Sequence, residues 1–60
     1  MSVAAKKRKV TVELVSGSWV VAYVERKPRQ RYWAATFYAA DHSKEKVEQW
    51  VRKNPKLELV

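Results

Sequence analysis

The sequence predicts an α+β fold, in which a three-stranded antiparallel meander packs on one C-terminal helix. The order is βββα, or βββαβ if the last residues add a short fourth strand. Residues 10–39 contain segments that alternate with period two and are rich in β-branched and aromatic side chains. Turn residues separate these segments, and after Ala40 the apolar residues repeat at helical spacing.

Three strands explain the first part of this pattern. Residues 10–15 alternate as a strand, and the Ser-Gly-Ser cluster at 16–18 behind them predicts a turn. Residues 19–25 form the second strand, which ends before Pro28 because proline cannot continue a central ladder. Residues 31–39 form the third strand, and the short link before it favours an antiparallel hairpin.

A helix of about three turns follows. Asp41 or Ser43 can cap its free N–H groups, and Asn54 with Pro55 supplies the stop. Residues 57–60 either add the short last strand or pack against the rest. The apolar stripe of the helix consists of Val47, Trp50 and Val51.

Alternation assigns the two faces of the predicted sheet, because residues two apart share a side. The set expected to pack on the helix is Val10, Val12, Leu14, Val20, Ala22, Val24, Trp33, Ala35 and Phe37. The set expected on the open face is Thr11, Glu13, Trp19, Val21, Tyr23, Tyr32, Ala34, Thr36 and Tyr38. Several aromatic rings would then face water, which indicates a binding surface.

The charge of the chain indicates a polyanionic partner. Thirteen Lys and Arg residues stand against six Asp and Glu residues, a formal net charge of +7 on 60 residues. Such charge repels itself in a compact state, and a nucleic acid offsets it when condensed counterions are released on binding. We expect residues 1–8 to be a flexible basic arm and residues 9–60 to be a single nucleic-acid-binding domain.

The candidate binding residues form two chemical groups. The cations expected to contact phosphates are Lys6, Lys7, Arg8, Lys9, Arg26, Lys27, Arg29 and Arg31. The rings expected to stack on bases are Trp19, Tyr23, Tyr32 and Tyr38. The alternative for the rings is a structural role as cross-strand pairs. The basic run at 6–9 is alternatively a solvated tail or a nuclear-localisation signal. For the basic residues at 52–56, a role that complements the helix dipole is preferred to a phosphate contact.

The residues that are absent argue against catalysis and cofactors. The chain has no cysteine, one histidine and no clustered pair of acids, so neither a zinc site nor an acid–base pair is expected. One glycine cannot build a glycine-rich phosphate loop. No run approaches the length of a membrane-spanning helix. We therefore expect a monomeric, non-enzymatic protein without metal or small-molecule substrate, cytoplasmic and associated with the nucleoid.

The stretch VELVSGSWVVAYVERKPRQRYWAATFYAADHSKEKVEQWVRKN resembles the small crenarchaeal chromatin proteins, which are compact, basic and coat DNA. It is also similar in pattern to the sheet-and-helix DNA-binding domains of plant AP2 factors and to the arm-binding domains of phage-type integrases. The scarcity of Gly, Asn, Met and Cys beside 32% charged residues suits a thermophilic source. The first resemblance implies an archaeal source and binding with little sequence preference, whereas the AP2 pattern implies a sheet that reads bases in the major groove. The scarcity of Arg, Asn and Gln on the predicted open face favours the first.

The sequence thus predicts a DNA-binding protein of the chromatin type with little sequence preference. It does not distinguish single-stranded from double-stranded DNA as the ligand. One alternative is an RNA-binding protein, which the residues do not distinguish from the first. Another is a protein-interaction module that docks through the aromatic face, with the charge serving solubility.

Overall fold

A computed structural model describes residues 7–60, which form a four-stranded sheet covered on one face by a helix. The elements in chain order are β1 Arg8–Val15, β2 Ser18–Tyr23, β3 Trp33–Tyr38, α1 Lys44–Lys53 and β4 Leu57–Leu59. The strand order across the sheet is β3-β2-β1-β4; the first three strands pair antiparallel, and β4 lies parallel to β1. The predicted α+β class with a sheet and a helix is confirmed. No helix in this part of the chain has the length and apolar character needed to cross a membrane.

The connection between β1 and β2 is a two-residue turn that fixes the register of the hairpin. Ser16 has φ 49° and Gly17 has φ 78°, and two positive φ angles are typical of the type I′ turn, whose twist matches that of paired strands. Glycine adopts this conformation at no steric cost. The turn pairs Val15 with Ser18 and therefore places Val12 opposite Val21.

This register corrects the predicted faces of β2. Residues directly opposite each other on antiparallel strands share a face, so Val21 lies on the same side as Val12 and packs in the core. Trp19 and Tyr23 lie on that side too and pack against the core. The expectation that Val20 and Ala22 of β2 face the helix is wrong, because both lie on the open face of the sheet. The core consists of Val10, Val21, Val47, Val51 and Leu57.

A bulge in β3 changes the face of Trp33. Val21 pairs with Ala35, whereas Ala22 pairs with Trp33, so Ala34 is an extra residue on β3. Trp33 was predicted to face the helix, but the bulge turns it to the open face, where it is 45% exposed. Phe37 and Ala35 pack against the core as predicted.

Helix α1 packs mainly through two valines. Val47 and Val51 are buried, whereas Trp50 is 39% exposed and contacts the Phe37 ring at 5.2 Å between centroids. The apolar stripe suggested that Trp50 lies at the centre of the core. The structure instead places it at the margin of the core. The hydroxyl of Ser43 accepts a hydrogen bond from the Lys46 backbone N–H at 3.2 Å and caps the helix.

Strand β4 ties the end of the chain to the start of β1. Arg8 pairs with Leu57, and its backbone N–H donates to the Lys56 carbonyl at 3.0 Å. The predicted boundary of the arm is therefore wrong at Arg8, which belongs to the sheet. Lys6 and the rest of the predicted arm lie outside the described residues, apart from Lys7.

Candidate nucleic-acid interface

The topology gathers basic residues at one end of the sheet. β1 begins there, β2 ends there and β3 begins there, because Val10 pairs with Tyr23 and Ala22 with Trp33. The loop of residues 24–32 lies at the same end. The α1–β4 connection lies there too, since Leu57 pairs with Arg8. We call this the basic end; its cations are Lys7, Arg8, Lys9, Arg26, Lys27, Arg29, Arg31, Arg52, Lys53 and Lys56.

Part of the basic end comes from residues for which the sequence favoured a role at the helix dipole over a phosphate contact. Arg52 and Lys7 line the same surface groove of about 440 Å³, although they lie far apart in the chain. Lys53 and Lys56, which follow Arg52 closely in the chain, are also exposed. The parallel pairing of β4 with β1 brings Lys56 beside Arg8. No local pattern in the sequence signals that pairing.

Arg8 is held in position at the centre of the basic end. Its guanidinium carbon lies 3.6 Å from the centroid of the Tyr23 ring, and one of its nitrogens donates to the Glu25 carbonyl at 3.4 Å. A groove of about 320 Å³ opens beside it, lined by Lys7, Arg8, Lys9, Val24, Glu25 and Lys27. Arginine presents several N–H donors in a planar fork, so a guanidinium stacked in this way keeps donors for a phosphate oxygen.

The loop of residues 24–32 is exposed throughout, and most of its side chains are polar. The backbone N–H of Gln30 donates to the Lys27 carbonyl at 3.3 Å, and Arg29 adopts a positive φ of 63°. A non-glycine residue in that conformation is strained, and the strain fixes the direction of the chain through this turn. The loop ends at Tyr32, whose carbonyl accepts from the Tyr23 N–H at 2.8 Å.

Two of the four predicted stacking residues lie on the helix side of the sheet and not on its open face. Trp19 is half-buried on the helix side, and its indole Nε1–H donates to the His42 carbonyl at 2.9 Å. The Tyr23 ring is half-buried and carries the Arg8 guanidinium. The prediction that these rings lie on the open face is wrong. The two-residue turn at Ser16 and Gly17 pairs Trp19 with Leu14 and Tyr23 with Val10, which places both rings on the helix side.

The other two rings are exposed but lie at opposite ends. Tyr38 is 71% exposed and lies beside the start of α1, since its carbonyl accepts from the His42 N–H at 3.0 Å. Tyr32 is 53% exposed and lies at the basic end, with the guanidinium carbon of Arg26 5.1 Å from its ring centroid. The exposed Trp33 follows it directly, and sequence reasoning missed it as a site residue because alternation assigned it inward.

Within residues 7–60, no group of three or more His, Cys, Asp or Glu side chains could hold a metal ion. On the open face of the sheet, the Thr11 hydroxyl donates to the Glu13 carboxylate at 3.2 Å, beside Val20 and Ala22. No protein-family model matches the chain, and neither a curated protein nor a solved structure is significantly similar to it.

Proposed function

We propose that this protein is a non-enzymatic, sequence-tolerant DNA-binding protein of the chromatin type, which holds phosphates at the basic end of its sheet. The observation that carries the proposal is the convergence of cations from three separate segments, residues 7–9, 26–31 and 52–56, on one end. Positive charge concentrated in this way attracts a polyanion and releases its condensed counterions. Tyr32 and Trp33 add exposed rings at the same end.

The chemistry of the site supports binding with little sequence preference. Phosphate contacts position a protein but carry no sequence information directly, whereas base reading in the major groove needs Arg, Asn or Gln side chains aimed at base edges. The described residues of the open face, apart from Lys9 near the basic end, are Thr11, Glu13, Val15, Ser18, Val20, Ala22, Trp33, Thr36, Tyr38 and Glu58. None of these is Arg, Asn or Gln.

A salt titration tests the proposal directly. We expect the logarithm of the association constant to fall linearly with the logarithm of salt concentration, with a slope of about −0.9 for each duplex phosphate contacted or about −0.7 on single strands. Fluorescence anisotropy of labelled DNA oligonucleotides between 50 and 200 mM salt measures it. Affinity that does not respond to salt would exclude the proposal, and an RNA oligonucleotide of the same sequence shows whether DNA is preferred.

The variant Arg29→Gly separates binding from folding. Glycine relieves the strained positive φ at this position, while the greater freedom of glycine in the unfolded chain offsets the gain. We expect the free energy of unfolding to stay within about 1 kcal/mol of the wild type, because these two effects are similar in size. The salt slope should become shallower by about 0.9 if Arg29 contacts a duplex phosphate.

Urea denaturation and anisotropy on the same Arg29→Gly sample provide the two measurements. The matched control is Lys44→Gly, which removes one positive charge at the opposite end of the sheet, where α1 begins. An unchanged salt slope in Arg29→Gly would show that Arg29 does not contact a phosphate.

A further inference from the structure

Two exposed aromatic side chains are neighbours in the chain where the loop of residues 24–32 leads into β3. Tyr32 is 53% exposed and Trp33 is 45% exposed. Trp33 begins β3, which is an edge strand, so its ring is accessible from the open face and from the side of the sheet. We propose, building on the proposed function, that these rings stack on unpaired bases and that the protein therefore binds single-stranded DNA in preference to duplex.

The surroundings of the two rings fit a single strand. Arg31 precedes them in the chain, and the Arg26 guanidinium carbon lies 5.1 Å from the Tyr32 ring centroid. A single strand exposes its phosphates and the faces of its bases together, so cations can hold the backbone while bases turn onto the rings. Stacking of this kind tolerates any sequence because every base has a π face.

The same end fits a duplex less well. The bases of a duplex are stacked on each other, so a base must be unstacked before it can reach Tyr32 or Trp33. A duplex laid across the open face would bring its phosphates towards the exposed carboxylates of Glu13 and Glu58. Neither obstacle applies to a single strand that passes along the basic end and bends away from the rest of the face.

The first test compares ligands on the wild-type protein. A mixed-sequence DNA strand of about 12 nucleotides, which is within the usual site sizes for single-strand binders, is compared with its own duplex at the same salt concentrations. We expect tighter binding of the single strand, together with quenching of tryptophan fluorescence.

The second test uses variants that remove a ring without removing charge. Trp33→Leu and Tyr32→Leu should each weaken single-strand binding roughly 5- to 150-fold, the loss that removing one stacked base produces, with the salt slope unchanged. The matched control is Tyr38→Leu, an exposed ring on the same strand at the far end, which should change affinity less than about twofold. Tyr32 precedes β3, so its variant remains informative if Trp33→Leu does not fold.

The outcomes separate this inference from the proposed function. Duplex binding equal to or tighter than single-strand binding overturns the inference, as does an unchanged affinity in both the Tyr32 and Trp33 variants. In either case, salt-dependent binding that needs the basic end would leave the proposed function standing. Absence of binding to every oligonucleotide at low salt would overturn both.

Discussion

Replacing Trp19 with alanine is expected to remove about 3 kcal/mol of stability, the lower end of the cost of truncating a packed tryptophan. Trp19 is half-buried against the core and lies opposite Phe37 on the face that α1 covers. The variant also leaves the His42 carbonyl without the indole donor. A domain of this size has a total stability of roughly 3 to 9 kcal/mol, so the alanine variant should keep only about 0 to 6 kcal/mol and lose at least a third of the wild-type stability.

Urea denaturation followed by circular dichroism measures this loss, and two variants control it. Trp19→Phe keeps most of the packing and removes the hydrogen bond, so it should cost about 1 kcal/mol. Trp33→Ala removes an indole that is 45% exposed at the sheet edge and should cost less than Trp19→Ala. If Trp33→Ala unfolds while Trp19→Ala remains stable, the faces of β2 and β3 are the reverse of those described.

Neutralising two cations of the loop of residues 24–32 is expected to produce one of the largest losses of DNA binding. The double variant Lys27→Gln with Arg31→Gln removes one cation beside the Arg8 groove and one beside Tyr32. Each lost duplex phosphate contact weakens binding about eightfold at 0.1 M salt, so two contacts amount to roughly 60-fold. The salt slope should become shallower by about 1.8 on duplex DNA.

The matched control removes two charges from the other end of the molecule. The double variant Lys44→Gln with Lys46→Gln acts on the first turn of α1, beside Ser43 and away from the basic end. Its effect should be no more than about threefold, because exposed charges farther away than a Debye length are largely screened. Equal losses in the two double variants would mean that net charge, and not the basic end, controls the affinity.

Some of the site was predictable from sequence because it depends on local pattern. The loop cations lie together because they are neighbours in the chain, and Pro28 with its polar surroundings indicated a break between strands. The helix was predictable for the same reason: one of the two caps considered, Ser43, and the stop at Asn54 are local signals, and both are observed.

The inward face of β2 was harder to predict from the sequence, because both of its alternating sets of residues are apolar. Hydrophobicity therefore does not choose between Val21 and Val20, and the choice depends on the pairing with β1. A signal was present in the Ser16–Gly17 pair, since a two-residue turn at that point places Val12 opposite Val21.

By itself, the sequence determined the α+β class, the extents of the strands and helix to within a few residues, and the excess of positive charge. These follow from local periodicity, turn chemistry and composition. Only the tertiary structure decided which rings are exposed, because one extra residue at Ala34 reverses the side on which Trp33 lies. It also decided where the charge gathers, because the parallel pairing of β4 with β1 joins the two ends of the chain at Arg8.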